Sequence, residues 1–279
     1  MNNEVSPPAD LEDLKALARK IRGRVVQMSN VARTPHLGSS LSCVDILVAA
    51  YWGFLRVDPA NPSDPDRDRF ILSKGHAATA LYATLAHRGF FDPALLDTFN
   101  CRGSLLAEHP SFRCVPGVEA STGSLGHGLS LALGMALAQR IQGRKFRCFA
   151  LLSDGECEEG SVWEAAMFAS ARRIDNAAVI VDDNKWQATG RTDEIMALEP
   201  LAEKWRAFGW TAHEVDGHNL AALLRVLAAV PDGSGRPIAV IAHTVKGKGV
   251  SFMEDDNNWH YRVPTAEEVR AAHQELGLT

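Results

Sequence analysis

The chain has 279 residues, of which 46% are hydrophobic and 23% charged, and a formal charge of −5. This is the composition of an ordinary globular protein long enough to bury a sizeable core. The acidic balance, with no basic stripe, argues against nucleic acid or an anionic membrane as partner.

Residues 1–9 are polar and proline-containing and are expected to be disordered. Met1–Asp10 carries no apolar leader, and no apolar run approaches the roughly 18 residues of a membrane span. Asp10 can cap a helix in which Leu11, Leu14, Leu17, Ala18 and Ile21 recur at helical spacing, predicted to run to about Ser29. The stretch Thr34–Ser40 breaks that pattern and puts His36 on a loop; Ser42 is predicted to cap a second helix, Cys43–Phe54. After a Pro- and Asp-rich loop, Arg69–Ser73 reads as a strand and Ala77–Arg88 as a helix, joined by Lys74-Gly75-His76. That turn fits an anion-facing loop, because the first N–H groups of a helix are unpaired, and it fits an ordinary βα turn equally well. A short helix is expected over Pro93–Phe99, followed by a loop carrying Glu108-His109-Pro110. Gly123, Gly126 and Gly128 then open a helix over Leu129–Ile141; without a preceding strand or a following Gly-Lys-Ser/Thr they match neither a dinucleotide fingerprint nor a P-loop.

Phe146–Leu152 is the clearest buried strand, followed by a helix over Glu158–Arg173 and a strand over Ala177–Val181. Strand, helix, strand at this spacing is a right-handed crossover, which places Asp154 and Asn184 at the same edge of a parallel sheet. A carboxylate and a neutral amide oxygen suit Mg2+ or Ca2+ better than zinc. Asp154 alone reads equally as a helix cap; paired with Asn184 it points to a metal-diphosphate site. Helices over Pro200–Gly209 and Leu220–Ala229, strands over Thr211–Val215 and Pro237–His243, and a terminal helix over Ala266–Leu276 complete an α/β fold, a mostly parallel sheet flanked by helices. No repeat or linker divides it, so residues 1–279 are expected to form a single domain. Five scattered cysteines, Cys43, Cys101, Cys114, Cys148 and Cys157, form no CxxC pair and predict reduced thiols in the cytoplasm.

Taken in order, the motifs resemble the N-terminal, diphosphate-binding half of a transketolase. They are Thr34-Pro35-His36-Leu37-Gly38, Ser73–Ala77, Glu108-His109-Pro110, Thr122–Gly128, Ser153-Asp154-Gly155 with Asp183-Asn184-Lys185, Thr244–Gly249 and Trp259-His260. The resemblance spans residues 11–264 and implies the thiamine diphosphate-binding fold. It implies Mg2+, with Ca2+ or Mn2+ as substitutes, held by Asp154, Asn184 and the Trp186 carbonyl. It further implies cofactor contacts from Lys74, His76, Gly123, Ser124, Leu125, Gly155, Glu156, Asn184, Lys246 and His260. Substrate hydroxyl and proton transfer would fall to His36 and His260, and the cofactor side and donor oxygens to His76 and His109. His127 stands where glutamine is usual, while His87, His213, His218, His243 and His273 are taken as structural or solvated. Ser153 replaces a glycine, and Tyr261-Arg262 follow His260 where glycine is usual. Glu159 resembles a glutamate at the subunit interface.

Whole transketolases are more than twice this length, so the resemblance implies a split enzyme. A C-terminal partner subunit carrying the activating glutamate would complete it, in an α2β2 assembly acting on sugars or sugar phosphates. The alternatives are a subunit of another thiamine diphosphate enzyme, of α-ketoacid dehydrogenase or deoxyxylulose-phosphate synthase type, and a non-catalytic cofactor-binding scaffold.

Overall fold

Asp10 accepts a hydrogen bond from the Glu12 N–H and starts α1, Leu11–Ala32, which buries Leu14, Ala18, Ile21 and Val25 and runs one turn beyond the expected end. The structure, a computed structural model, describes residues 10–278; the expectation for residues 1–9 lies outside them. The next segment departs from the sequence reading. His36 takes a left-handed conformation (φ 68°) immediately ahead of α2, Leu37–Ser42, and α3, Val44–Ala49, follows with a wide π-type turn over Ala50–Phe54. Ser42 therefore ends a helix rather than capping one, and its Oγ donates to the Asp182 carboxylate at 2.6 Å. Leu37-Gly38-Ser39-Ser40 has poor helix propensity; complete burial of the segment overrides it.

The remaining elements follow the expected order with ends shifted by at most two residues, except for the short helix Thr192–Ile195, which the sequence did not predict. They are β1 (Arg69–Leu72), α4 (Ala78–Arg88), α5 (Gly128–Ile141), β2 (Cys148–Ser153), α6 (Gly160–Ala171), β3 (Ala177–Asp183), α7 (Thr192–Ile195), α8 (Leu201–Ala207), β4 (Thr211–Asp216), α9 (Leu220–Ala228), β5 (Ile238–His243) and α10 (Ala266–Glu275). The five strands are parallel in the order β1-β2-β3-β5-β4.

Parallel strands buried on both faces read as near-continuous apolar runs, and β2 and β3 are buried throughout, polar only at their ends in Ser153, Asp182 and Asp183. Phe149, Leu151, Ala178 and Ile180 face one core with α1, α3, α4 and α9. Ala150, Leu152, Val179 and Val181 face the other, with α5, α6 and α8. With both faces covered, ligand access is left to the strand ends, where Asp154 and Asn184 emerge. Among the described residues, no helix is long and apolar enough to cross a membrane.

Candidate active site

Ser153 pairs in register with Asp182, so Asp154 and Asn184 leave neighbouring strands side by side. Asp154 is fully buried. Its Oδ2 accepts from the Thr192 hydroxyl at 2.9 Å, whereas Oδ1 is buried with no partner. Burial, reinforced by Asp183 and opposed by the Thr192 hydrogen bond, pushes the Asp154 carboxyl up to about 7. Asn184 is also buried; its Oδ1 accepts from the Trp186 N–H at 3.1 Å, and its Nδ2 lies 3.5 Å from Ser42 Oγ. The Trp186 carbonyl accepts no hydrogen bond among the described residues. An orphaned carboxylate oxygen beside neutral amide and carbonyl oxygens fits a hard divalent cation, whose charge would relieve the buried anion. Among the described residues, no three His, Cys, Asp or Glu side chains cluster as a metal site, so protein carboxylates do not supply a full coordination shell.

Two buried polar centres brace this edge. Lys74 is fully buried and paired with Asp182, and it donates to the Ser39 carbonyl at 2.9 Å. Although burial pulls the ammonium down, Asp182 raises it overall. Its bonds therefore run into the fold. Asp182 also accepts from Ser42 and Thr244, joining α2 and the end of β5 to the site. Glu156, fully buried, accepts from the Ser73 hydroxyl, the Gly126 N–H at 2.8 Å and the Ser153 N–H at 3.3 Å, holding three loops together. Gly155 opens a 3-10 turn, Gly155–Glu158, and α6 begins only at Gly160, beyond the exposed Glu159. A 3-10 turn thus separates Asp154 from α6, which starts two residues later than the expected Glu158.

Four histidines from four separate loops converge. The His36 ring lies 4.9 Å from that of His260, 5.3 Å from His76 and 6.4 Å from His109. The approach of His109 depends on glycine. A Cβ on Gly123 (φ 139°) would stand 2.7 Å from the His109 ring, and one on Gly75 would strike the Thr122–Gly123 backbone at 2.6 Å. Burial, followed by the charges of His109, Lys246 and Lys74, lowers His36 to about 4. Burial, with Lys246 next, lowers His260 to about 3. Burial and Lys74 depress His76 as well. The three rings are neutral at physiological pH, each with one donor and one acceptor nitrogen. His36 Nδ1 is buried without a partner, and its Nε2 lies 3.8 Å from the Glu108 carboxylate.

Lys246, fully buried, donates to the Gln187 carbonyl at 3.3 Å, Asn257 Oδ1 at 2.7 Å and His260 Nδ1 at 3.1 Å. Burial, with Lys74 next, lowers it to about 8. Ser124 is exposed and Leu125 half-buried, on the glycine turn beside this cluster. Exposed His127 is tethered to the Leu125 carbonyl at 2.9 Å. Tyr261, 62% exposed, stands edge-on to His260 at 4.8 Å and is the outermost ring of the cluster. Arg262 instead lies over Trp259 and pairs with Glu268.

Of the histidines set aside in the sequence, His87 and His273 bond to backbone carbonyls and His218 to Asp45. His243 bridges Asp183 and Glu214, and its hydrogen bond to Asp183 raises it. Sequence reasoning missed Asp182, Thr192 and Asn257. A charged residue at the end of the apolar run Ala177–Val181 was the available signal for Asp182; nothing local marked the others.

Residues 14–279 match the family described as transketolase, thiamine diphosphate binding domain. The chain belongs to the transketolase family. It is 41% identical over 266 residues to a Phocaeicola vulgatus protein named as one subunit of an apulose-4-phosphate transketolase, covering 95% of this chain and 94% of that one. It is 42% identical over 264 residues to a protein of a Clostridium species named 6-deoxy-6-sulfo-D-fructose transketolase subunit SqwG, covering 95% and 96%. Human transketolase is 37% identical over 254 residues, covering 90% of this chain and 40% of its own length. Among solved structures, the Campylobacter jejuni transketolase superposes with a TM-score of 0.89 at 28% identity, covering 96% of this chain and 43% of that one. The chain thus spans about two-fifths of the solved transketolases it matches and nearly all of the relatives named as subunits. His76 follows β1 and Lys246, bonded to His260, follows β5, so both leave the sheet at the same strand ends that carry Asp154 and Asn184.

Proposed function

We propose that this chain is the diphosphate-binding subunit of a two-chain transketolase that moves a two-carbon ketol unit from a ketose to an aldose. The observation that carries the reading is the unpartnered, buried Oδ1 of Asp154 beside Asn184, at the edge where four histidines meet. Near-complete coverage of relatives named as subunits supports the need for a second chain. We assign to that partner the activating glutamate and expect an α2β2 assembly with Glu159 at the subunit contact. All described strands join one sheet, which supports reading residues 1–279 as one domain. The five free cysteines fit a reducing cytoplasm.

Asp154, Asn184 and the Trp186 carbonyl would hold Mg2+ on the diphosphate, with Gly155 beside it. Gly123, Ser124 and Leu125 would line the cofactor with His76, Lys246 and His260. Lys74 and Glu156 act from behind, since their charged groups are spent on the fold. Thiamine diphosphate, when bound, supplies the nucleophilic carbon and the electron sink for breaking a ketose carbon–carbon bond. The protein supplies hydrogen bonds and proton transfer. His260, with Nδ1 occupied by Lys246, presents Nε2–H to a substrate oxygen. Neutral His36 can take a hydroxyl proton, with the Glu108 carboxylate beside it to stabilise the imidazolium that results. His76 and His109 orient the donor's hydroxyls.

The test is reconstitution. Mixing the chain with its C-terminal partner, thiamine diphosphate and Mg2+ should give ketol transfer between a ketose and an aldose, and neither chain alone should turn over. Full turnover by the single chain would overturn the two-chain reading. Oxidative decarboxylation of pyruvate in place of ketol transfer would move the chain to the α-ketoacid dehydrogenase class.

A further inference from the structure

Three charged or titratable residues remote from one another in sequence, Arg22 on α1, Asp45 on α3 and His218 in the turn after β4, meet in a buried network that the chemistry above does not use. Arg22 grips Asp45 with both terminal nitrogens, at 3.1 and 2.6 Å. The second Asp45 oxygen also accepts from His218 Nδ1 at 2.7 Å. Burial would raise this carboxyl; the Arg22 charge and the hydrogen bonds from His218 and Arg22 outweigh it and hold Asp45 down to about 2.

What leaves the network is two bonds to one loop. His218 Nε2 accepts from the Val245 N–H at 2.9 Å, and Arg22 Nε donates to the Lys248 carbonyl at 2.9 Å. Val245 and Lys248 bracket Lys246-Gly247. The two attachments also fix the chemistry of His218: Nδ1 donates to a carboxylate, so Nε2 must accept. Every side-chain nitrogen and oxygen of the network has a hydrogen-bond partner, which is the condition under which buried charge rigidifies its surroundings.

We propose that Arg22, Asp45 and His218 are positioning residues that hold the 245–248 backbone so that Lys246 meets His260 Nδ1 and keeps the His260 proton on Nε2. This rests on the assignment of His260 to proton transfer. The reach is indirect but short. Lys246 distributes its three donors over Gln187, Asn257 and His260, so a displaced backbone removes or lengthens the bond to His260 and frees the other tautomer.

The test uses the full-length chain labelled with 15N-histidine, in which imidazole nitrogen shifts read the tautomer of each ring, and the same chain in the reconstituted complex. In the wild type, His260 should show an unprotonated, hydrogen-bonded Nδ1. His218→Phe removes the acceptor for Val245 and leaves the Arg22–Asp45 pair intact. It is expected to move the His260 pattern towards a mixture of tautomers and to lower kcat about tenfold or more. His218→Gln, which can both accept and donate, should restore part of each. Arg22→Lys keeps the ion pair but loses the bond to Lys248, and should shift the same His260 signals if the phenylalanine variant does not fold. An unchanged His260 pattern in a folded variant, with only the melting temperature lowered, would overturn the proposal, since a purely structural role predicts that result. A responsive His260 in a chain whose wild-type complex shows no ketol transfer would leave the positioning role standing and overturn the assigned activity.

Discussion

Lys246 donates from Nζ to Nδ1 of His260 across 3.1 Å, which leaves that imidazole a donor at Nε2. Burial disfavours protonation of the ring most, and a cation this close adds to it, so the contact that sets the tautomer of His260 also helps keep the ring neutral.

Lys246→Met should therefore raise the His260 pKa and release its tautomer. With general acid–base catalysis contributing about 10²–10⁴-fold, turnover in the reconstituted complex is expected to fall about 10²-fold. A kcat within a factor of about two of wild type would remove Lys246 and His260 from the proton-transfer step.

Asp154 and the histidines give opposite pH dependences. The folded His36 and His260 titrate near 4 and 3 instead of 6.5. The unfolded chain therefore binds their protons first, and their contribution to stability is lost as pH falls below 6.5 towards those values. Folded Asp154 titrates near 7 instead of 3.8, so the folded chain binds that proton first and loses stability as pH rises through the window. Each group contributes a slope of about 1.4 kcal/mol per pH unit inside its window. Asp154→Asn removes the opposing slope. Its metal-free form should be more stable than wild type at about pH 8, more steeply destabilised by acid, and unable to retain Mg2+. Calorimetric melts from about pH 5 to 8 check the first two outcomes and equilibrium dialysis the third.

Glu156→Ala would leave the Ser73 hydroxyl and the Gly126 and Ser153 N–H groups without their acceptor. At about 1–3 kcal/mol for a buried group left unsatisfied, a loss of at least ~3 kcal/mol is expected, read as a lower urea midpoint. An unchanged midpoint would show that the loop contacts are not held by this carboxylate.

Tyr261 overhangs the histidine cluster from its exposed side. Tyr261→Gly should open the approach to His260 and raise kcat/KM for the longer of two ketoses relative to the shorter by about tenfold. An unchanged ratio would place the tyrosine outside the substrate path.

Much of this was legible in the sequence because the signals were local. Apolar runs ending at Asp154 and Asn184 placed both residues at the same edge of a parallel sheet, since a right-handed crossover returns the chain to that edge. The four histidines stood out by their positions on loops and in motifs resembling those of the family, and all four meet. The segment at 34–54 misled, because propensity reports on the isolated chain whereas Gly38, Ser39 and Ser40 are helical under complete burial.

Residue types and their order thus determined the parallel sheet, the placement of Asp154 and Asn184 at one sheet edge and the family. The tertiary structure alone decided which lysine faces His260 and which faces Asp182, that Glu156 works from inside the fold, and that Arg22, Asp45 and His218 reach the loop that carries Lys246. The reason is physical. Strand and helix patterns arise from neighbours along the chain, whereas a buried side chain's charge, tautomer and partner depend on groups up to hundreds of residues away, and only packing brings those within hydrogen-bond distance.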